Sequence, residues 1–194
     1  MELVELGGGV GHFKGALYGL AGSGKTHTAT LLAIGLKKHL KHVGRIAMFD
    51  TESGVEYVAP MMTEAGVGNP IGMKSRALAD AISFLAQCEA QKVAVAIVDS
   101  VTHVWEEVQR TYLQRINESR VARKLSPKTQ IEWQDRGPLN DIWQKFTDAY
   151  LNSKLHIILC GRAANIWEMS TNEETGKKEL NRVGTKMKDR KSVV

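Results

Sequence analysis

The stretch Gly19-Leu20-Ala21-Gly22-Ser23-Gly24-Lys25-Thr26 constrains this chain more than any other, because it meets the phosphate-binding loop pattern G-x-x-x-x-G-K-[ST] at every required position. Such a loop works only between a strand and a helix. Ala16-Leu17-Tyr18 reads as the end of a short buried strand, and a helix is expected from Lys25, with Leu31, Leu32, Leu36 and Leu40 at helical spacing. Lys37, Lys38 and Lys41 fall near its end, where cations suit the helix dipole. Gly19, Gly22, Ser23, Gly24, Lys25, Thr26 and His27 are therefore the expected phosphate-contacting segment. Glycines let successive backbone N–H groups wrap phosphate oxygens at the positive end of the helix. Lys25 would reach the β- and γ-phosphates, and the Thr26 hydroxyl would ligate Mg²⁺. The alternative is an ordinary glycine-rich turn, which would have to acquire the glycines, the Lys and the Thr by coincidence.

The rest of the chain supplies more strand ends. Arg45 to Asp50 reads as a buried strand closing on Asp50-Thr51-Glu52-Ser53-Gly54, and Val93 to Val98 as a second one closing on Asp99. Leu155 to Cys160 is a third, delivering Gly161-Arg162. Between them lie a short helix over 55–64, a loop at 66–70, a helix over 77–89 and a long helix from Val101 to about Lys124. A further helix begins at Gly137-Pro138 and runs to about Asn152, with Leu139, Ile142, Trp143, Phe146, Ala149 and Tyr150 as its apolar stripe. Trp167–Ser170 and Glu179–Val183 read as a polar β-hairpin, and Leu3–Leu6 as a short strand in a glycine-rich lead-in. Strands alternating with helices specify an α/β fold, a doubly wound and mainly parallel sheet flanked by helices, with a C-terminal β-hairpin.

Composition sets outer limits. At 194 residues the chain suits one α/β domain, and 43% hydrophobic with 24% charged residues is ordinary for a globular protein. The net charge of +5 permits a polyanionic partner without requiring one. Cys88 and Cys160 lack metal-ligand spacing and sit in apolar segments, which excludes a disulfide scaffold. No stretch approaches membrane-spanning length and the N-terminal residues do not form a secretory signal, so the expectation is a cytoplasmic protein with no membrane partner.

Phosphoryl chemistry then assigns roles. Asp99 is the expected second Mg²⁺-holding group beside Thr26; the alternative is a strand-end Asp capping the next helix. Glu52 is the candidate general base for the water that attacks the γ-phosphate, against the plainer reading of an exposed carboxylate in a turn. Asp50-Thr51-Glu52 after a buried strand resembles the strand-two motif of RecA-like P-loop NTPases, whose Glu is the catalytic base. Asp99-Ser100 is similar to the Asp-Ser of those proteins and departs from the Asp-Glu of AAA+ enzymes.

More closely, Gly19–Thr26, Phe49-Asp50-Thr51-Glu52, Ile97 to Trp105 and Leu155 to Arg162 resemble a group of phage-encoded, single-domain RecA-core ATPases associated with single-strand annealing and recombination. The resemblance implies ATP and Mg²⁺ as cofactors, a cytoplasmic site in the host, and a homo-oligomer, ring or filament, in which a neighbour supplies a charge in trans. Arg162 stands where RecA-like proteins place a polar sensor, often Gln or Asn; it would contact the γ-phosphate or form a structural salt bridge. The segment beyond, with Trp167, Lys177, Lys178, Arg182, Lys186 and Lys188, would correspond to a loop facing single-stranded DNA, or equally to a solvated hairpin.

The leading expectation is thus ATP hydrolysis coupled to single-stranded DNA binding in phage recombination or replication. A small-molecule or nucleotide kinase, with Asp50 and Glu52 binding an acceptor hydroxyl, is the alternative, as is a nucleotide-gated loader with little turnover. No Asn-Lys-x-Asp guanine signature is present. His103 and Trp105 follow Asp99 closely; Trp105 reads as core and His103 as either a surface or a site residue. The ending Asp189 to Val194 looks like one frame of a short-read sequencing adapter, so the expected domain is 1–188, continuing in nature past Lys188, with 189–194 a non-native tail.

Overall fold

Fully apolar strands need cover on both faces, and this chain supplies it with helices on either side of one sheet. The structure, a computed structural model, describes residues 11–171 and 178–187. The expected strand at Leu3–Leu6, Lys177, Lys188 and the 189–194 ending lie outside them.

In chain order the elements are β1 (Lys14–Gly19), α1 (Lys25–His39), β2 (Ile46–Asp50), α2 (Val55–Glu64), β3 (Ile71–Lys74), α3 (Leu78–Ala90) and β4 (Val95–Asp99). They continue with α4 (Val101–Ala122), α5 (Arg136–Asn152), β5 (His156–Thr171) and β6 (Lys178–Met187). The strand order is β1-β5-β4-β2-β3, all parallel, and β6 pairs antiparallel with the outer part of β5. This is the α/β core of a P-loop NTPase, in which one strand, β5, separates the phosphate-loop strand from the Asp99 strand.

Side-chain alternation along each strand splits the core into two layers. Ala47 and Phe49 of β2, Ala96 and Val98 of β4 and Ile157 of β5 pack under α3, α4 and α5 against Phe84, Leu85, Val104 and Phe146. Ile46, Met48, Val95, Ile97, Ile158 and Cys160 point the other way, against Ala29, Ala33 and Ile34 of α1 and Val58 and Met62 of α2. Phe49 is fully buried, and truncating such a side chain to Ala costs about 3–5 kcal/mol. Trp143 meets Trp105 edge-on at 5.1 Å, which bears out a packing role for Trp105.

Three local expectations change. Helix α1 buries Ala29, Thr30, Ala33 and Ile34, whereas Leu31, Leu32 and Leu40 are exposed. Alanines win this face because the helix leaves the phosphate loop hard against the sheet, where small side chains allow close approach. Strand β3 was not foreseen, because it is a four-residue edge strand following a turn-rich loop. The last core strand and the first hairpin strand are one continuous β5, 16 residues long, shifted in register between Ile166 and Trp167. Trp133 is exposed, with the Arg136 guanidinium 4.8 Å from its ring centroid.

Candidate functional site

Parallel strands end together, and their register gathers the candidate residues at one sheet edge. Gly19 pairs with Arg162 across β1 and β5, and Asp50 with Asp99 across β2 and β4. The loop after β1 and the turn after β2 close a cleft of about 330 Å³. Its wall comprises Ala21, Gly22, Gly24, Lys25, Thr26, His27, Glu52, Gly54, Tyr57, Val58, Asp99 and Arg162.

The loop has the backbone that phosphate wrapping needs. Gly22 and Gly24 have φ of 76° and 81°, which only glycine adopts without strain, and Gly24 directly precedes α1. Gly19 and Ser23 stand outside the cleft wall. A Cβ at Gly19 would lie 2.6 Å from the Ser23 hydroxyl, so this glycine permits the loop to fold tightly over β1. The Lys25 ammonium donates to the Leu20 carbonyl at 2.9 Å, an exposed bond that a phosphate oxygen can replace.

Below the loop, the Thr26 hydroxyl donates to Asp99 Oδ2. Burial pushes the Asp99 carboxyl above its ordinary range, against the opposing Thr26 hydrogen bond, and the nearby Glu52 and Asp50 charges push it further. An ionised Asp99 therefore gains from a cation here. A Cβ at Gly54 would fall 3.4 Å from Thr26 Cγ2 and 3.9 Å from Asp99 Oδ2, so the glycine leaves room beside this pair. Hard oxygen donors with adjacent space fit Mg²⁺. Among the described residues no cluster of three His, Cys, Asp or Glu side chains forms a metal cage. Thr26 and Asp99 are the groups that would hold such a cation.

The turn carrying Glu52 is built by Asp50. Its Oδ1 accepts the N–H groups of Glu52 and Gly54 at 2.9 and 3.1 Å, and its Oδ2 that of Val55 at 3.0 Å. The Asp50 carboxylate is thus engaged by backbone and does not line the cleft, which weakens the kinase alternative's use of it as an acceptor-binding group. Glu52 points into the cleft and is gripped by Arg162, whose Nε donates to Oε1 at 3.1 Å and Nη2 to Oε2 at 2.7 Å. Partial burial pushes the Glu52 carboxyl up, but the Arg162 hydrogen bonds, with the charges of His103, Arg162 and Lys25, outweigh it and hold the group below its ordinary value. The salt bridge foreseen as one option for Arg162 is present, and its partner is the candidate base. The residue after Asp99 is Ser100, fully buried, so the second acidic group of the cleft comes from β2 rather than from β4.

Tyr57 was missed by sequence reasoning. It is 83% exposed yet lines the cleft from the first turns of α2. A Tyr five positions after the candidate base, at the start of a helix following that turn, was the available signal. The basic hairpin residues fall on the ribbon: Lys178 pairs with Thr171, Arg182 with Trp167 and Lys186 with Ala164. Among the described residues no helix is long and apolar enough to cross a membrane.

Residues 12–193 match the protein-family model described as AAA domain. A search of curated proteins finds no match.

Proposed function

The chain belongs to the AAA domain family of P-loop NTPases, and from that premise we propose that it is a Mg²⁺-dependent ATPase of the RecA-like kind whose nucleotide state is coupled to single-stranded DNA. One observation carries the reading: Lys25, Thr26, Asp99, Glu52 and Arg162 line a single cleft. Lys25 and the loop amides hold the β- and γ-phosphates, and Thr26 and Asp99 hold Mg²⁺. Bound there, Mg²⁺ would neutralise developing charge on the phosphate oxygens. Glu52 takes the proton of the attacking water, and Arg162 turns from Glu52 to the γ-phosphate, whose greater negative charge competes with the single carboxylate for the guanidinium.

The bidentate hold on Glu52 also favours slow basal turnover, since an engaged, acidified carboxylate is a poor base. A trigger is therefore part of the reading. Arg162 and the outer ribbon belong to the same strand, so a ligand on the basic β5–β6 ribbon has a direct mechanical route to the base. Single-stranded DNA is the proposed ligand, since phosphates need charge and bases need stacking faces. A phage recombination or replication role, the cytoplasm as its place and assembly into a ring or filament belong to the same proposal.

The test is steady-state ATP hydrolysis with and without single-stranded DNA at low and moderate salt. Stimulation that weakens with salt is expected. Lys25→Ala should abolish nucleotide binding or turnover, and Glu52→Gln should bind ATP but not hydrolyse it. Full hydrolysis by Glu52→Gln removes Glu52 from the base role, and turnover indifferent to DNA removes the DNA coupling.

A further inference from the structure

A base that loses one of its two holders needs the other to stay aimed. Arg162 is the holder that a bound γ-phosphate would draw away. The second is His103, the third residue of α4, 6% exposed. Its Nδ1 lies 2.7 Å from Thr51 Oγ1 and 3.3 Å from Glu52 Oε1.

Thr51 is an unusually fixed anchor for that ring. Its N–H donates to the Asp99 carbonyl at 2.7 Å and its hydroxyl oxygen accepts the Ser100 N–H at 2.9 Å. Its carbonyl accepts Arg76 Nε at 3.1 Å. Thr51 thereby ties the end of β2 to the end of β4, and the imidazole resting on it has little freedom to turn.

The charged groups facing the ring come from four elements: Glu52 after β2, Arg76 before α3, Glu106 on α4 and Arg162 on β5. Burial, together with Arg162 and Arg76, disfavours the charged imidazole, while Glu52 and Glu106 oppose them, and the balance lies below the ordinary His value. Beside an ionised Glu52, the neutral tautomer with its proton on Nδ1 is the one that can donate, and that one N–H is shared between Thr51 Oγ1 at 2.7 Å and Glu52 Oε1 at 3.3 Å. Among the described residues, the hydrogen bond to Oε2 comes from Arg162.

We propose that His103 is the positioning residue of Glu52: its Nδ1 proton, shared between the Thr51 hydroxyl oxygen and Glu52 Oε1, keeps Oε1 in place, so that when Arg162 turns to the nucleotide Oε2 is left free and aimed at water. The proposal rests on the ATPase reading above. It assigns His103 no contact with nucleotide, only an effect through Glu52.

The experiment compares His103→Ala, His103→Asn and Glu52→Gln. ATP turnover, affinity for a fluorescent ATP analogue and thermal melting are measured for each. Asn keeps a donor near the Nδ1 position. His103→Ala should lower kcat about 10- to 100-fold, the scale of misaiming a reacting group, with nucleotide affinity and KM within about 2-fold of wild type. His103→Asn should recover most of the loss, because its amide returns a donor to Oε1. Wild-type kcat in His103→Ala, with Glu52→Gln inactive, overturns this inference and leaves the base reading intact. An Asn variant as slow as Ala overturns it too. Active Glu52→Gln instead overturns the base reading itself. If His103→Ala fails to fold, His103→Asn decides alone: turnover near wild type supports the proposal, and a deep loss in a protein that melts normally overturns it.

Discussion

Asp50 offers the sharpest check on how the site is built. Its carboxylate is 3% exposed and accepts backbone N–H groups from Glu52, Gly54 and Val55. Hydrogen bonds to a charged group contribute roughly 1.5–3 kcal/mol each. Water reaches part of this turn, and the three bonds form together, so their loss does not sum. Asp50→Ala should cost about 3–5 kcal/mol. Asp50→Asn keeps the oxygen that serves Glu52 and Gly54 if its amide oxygen takes the Oδ1 place, and sets its NH₂ against the Val55 N–H, at about 1–3 kcal/mol. For a domain of this size each kcal/mol lowers Tm by roughly 2–4 °C, so the Ala variant should melt about 6–20 °C below wild type. Urea unfolding of the nucleotide-free protein measures the same loss. Turnover must fall with it, because Glu52 sits on this turn. An Ala variant within about 1 kcal/mol of wild type would refute the idea that Asp50 organises the turn. A stable variant that instead lost transfer of phosphate to a small-molecule acceptor would revive the kinase reading.

Three further outcomes follow from the same geometry. Glu52, held below its ordinary value of 4.5, contributes stability that is present above that value and lost as pH falls through its lowered folded-state pKa. Arg162→Ala removes the main group that lowers it, so the acid limb of kcat/KM should move to higher pH, and an unmoved limb would refute Arg162 as the cause. Tyr57→Ala should weaken nucleotide affinity about 10-fold at unchanged kcat if its exposed ring stacks on the base, as a fluorescent-nucleotide titration would read; equal affinity would refute the stacking. Ser53 sits at φ 63°, so Ser53→Gly should be tolerated and Ser53→Val should destabilise by about 1–2 kcal/mol in thermal melting; equal stability of the two would remove the argument from backbone strain.

The phosphate loop and the buried strands were legible in the sequence because their signals are local. A strand covered on both faces must be apolar throughout, as Ile46 to Phe49 and Val95 to Val98 are, and a phosphate-wrapping turn must be glycine-rich. The acidic and basic residues at strand ends were equally legible, since a parallel sheet presents all such ends at one edge. The leucines of α1 misled for a local reason as well: size alone suggested the buried face, and only the nearness of α1 to the sheet chose Ala29 and Ala33 instead. Edge strand β3 carried too few residues to declare itself.

What the sequence by itself determined is the inventory: a phosphate loop, the carboxylates Glu52 and Asp99, and a cation at Arg162. Which of these touch was decided by the tertiary structure. Glu52 and Arg162 are 110 positions apart and His103 lies 51 beyond Glu52, yet the strand order β1-β5-β4-β2 sets their elements side by side. Pairings across such distances depend on which strand ends are neighbours and at what register. Local periodicity holds no record of either, because both follow from how whole faces of the sheet and helices bury one another.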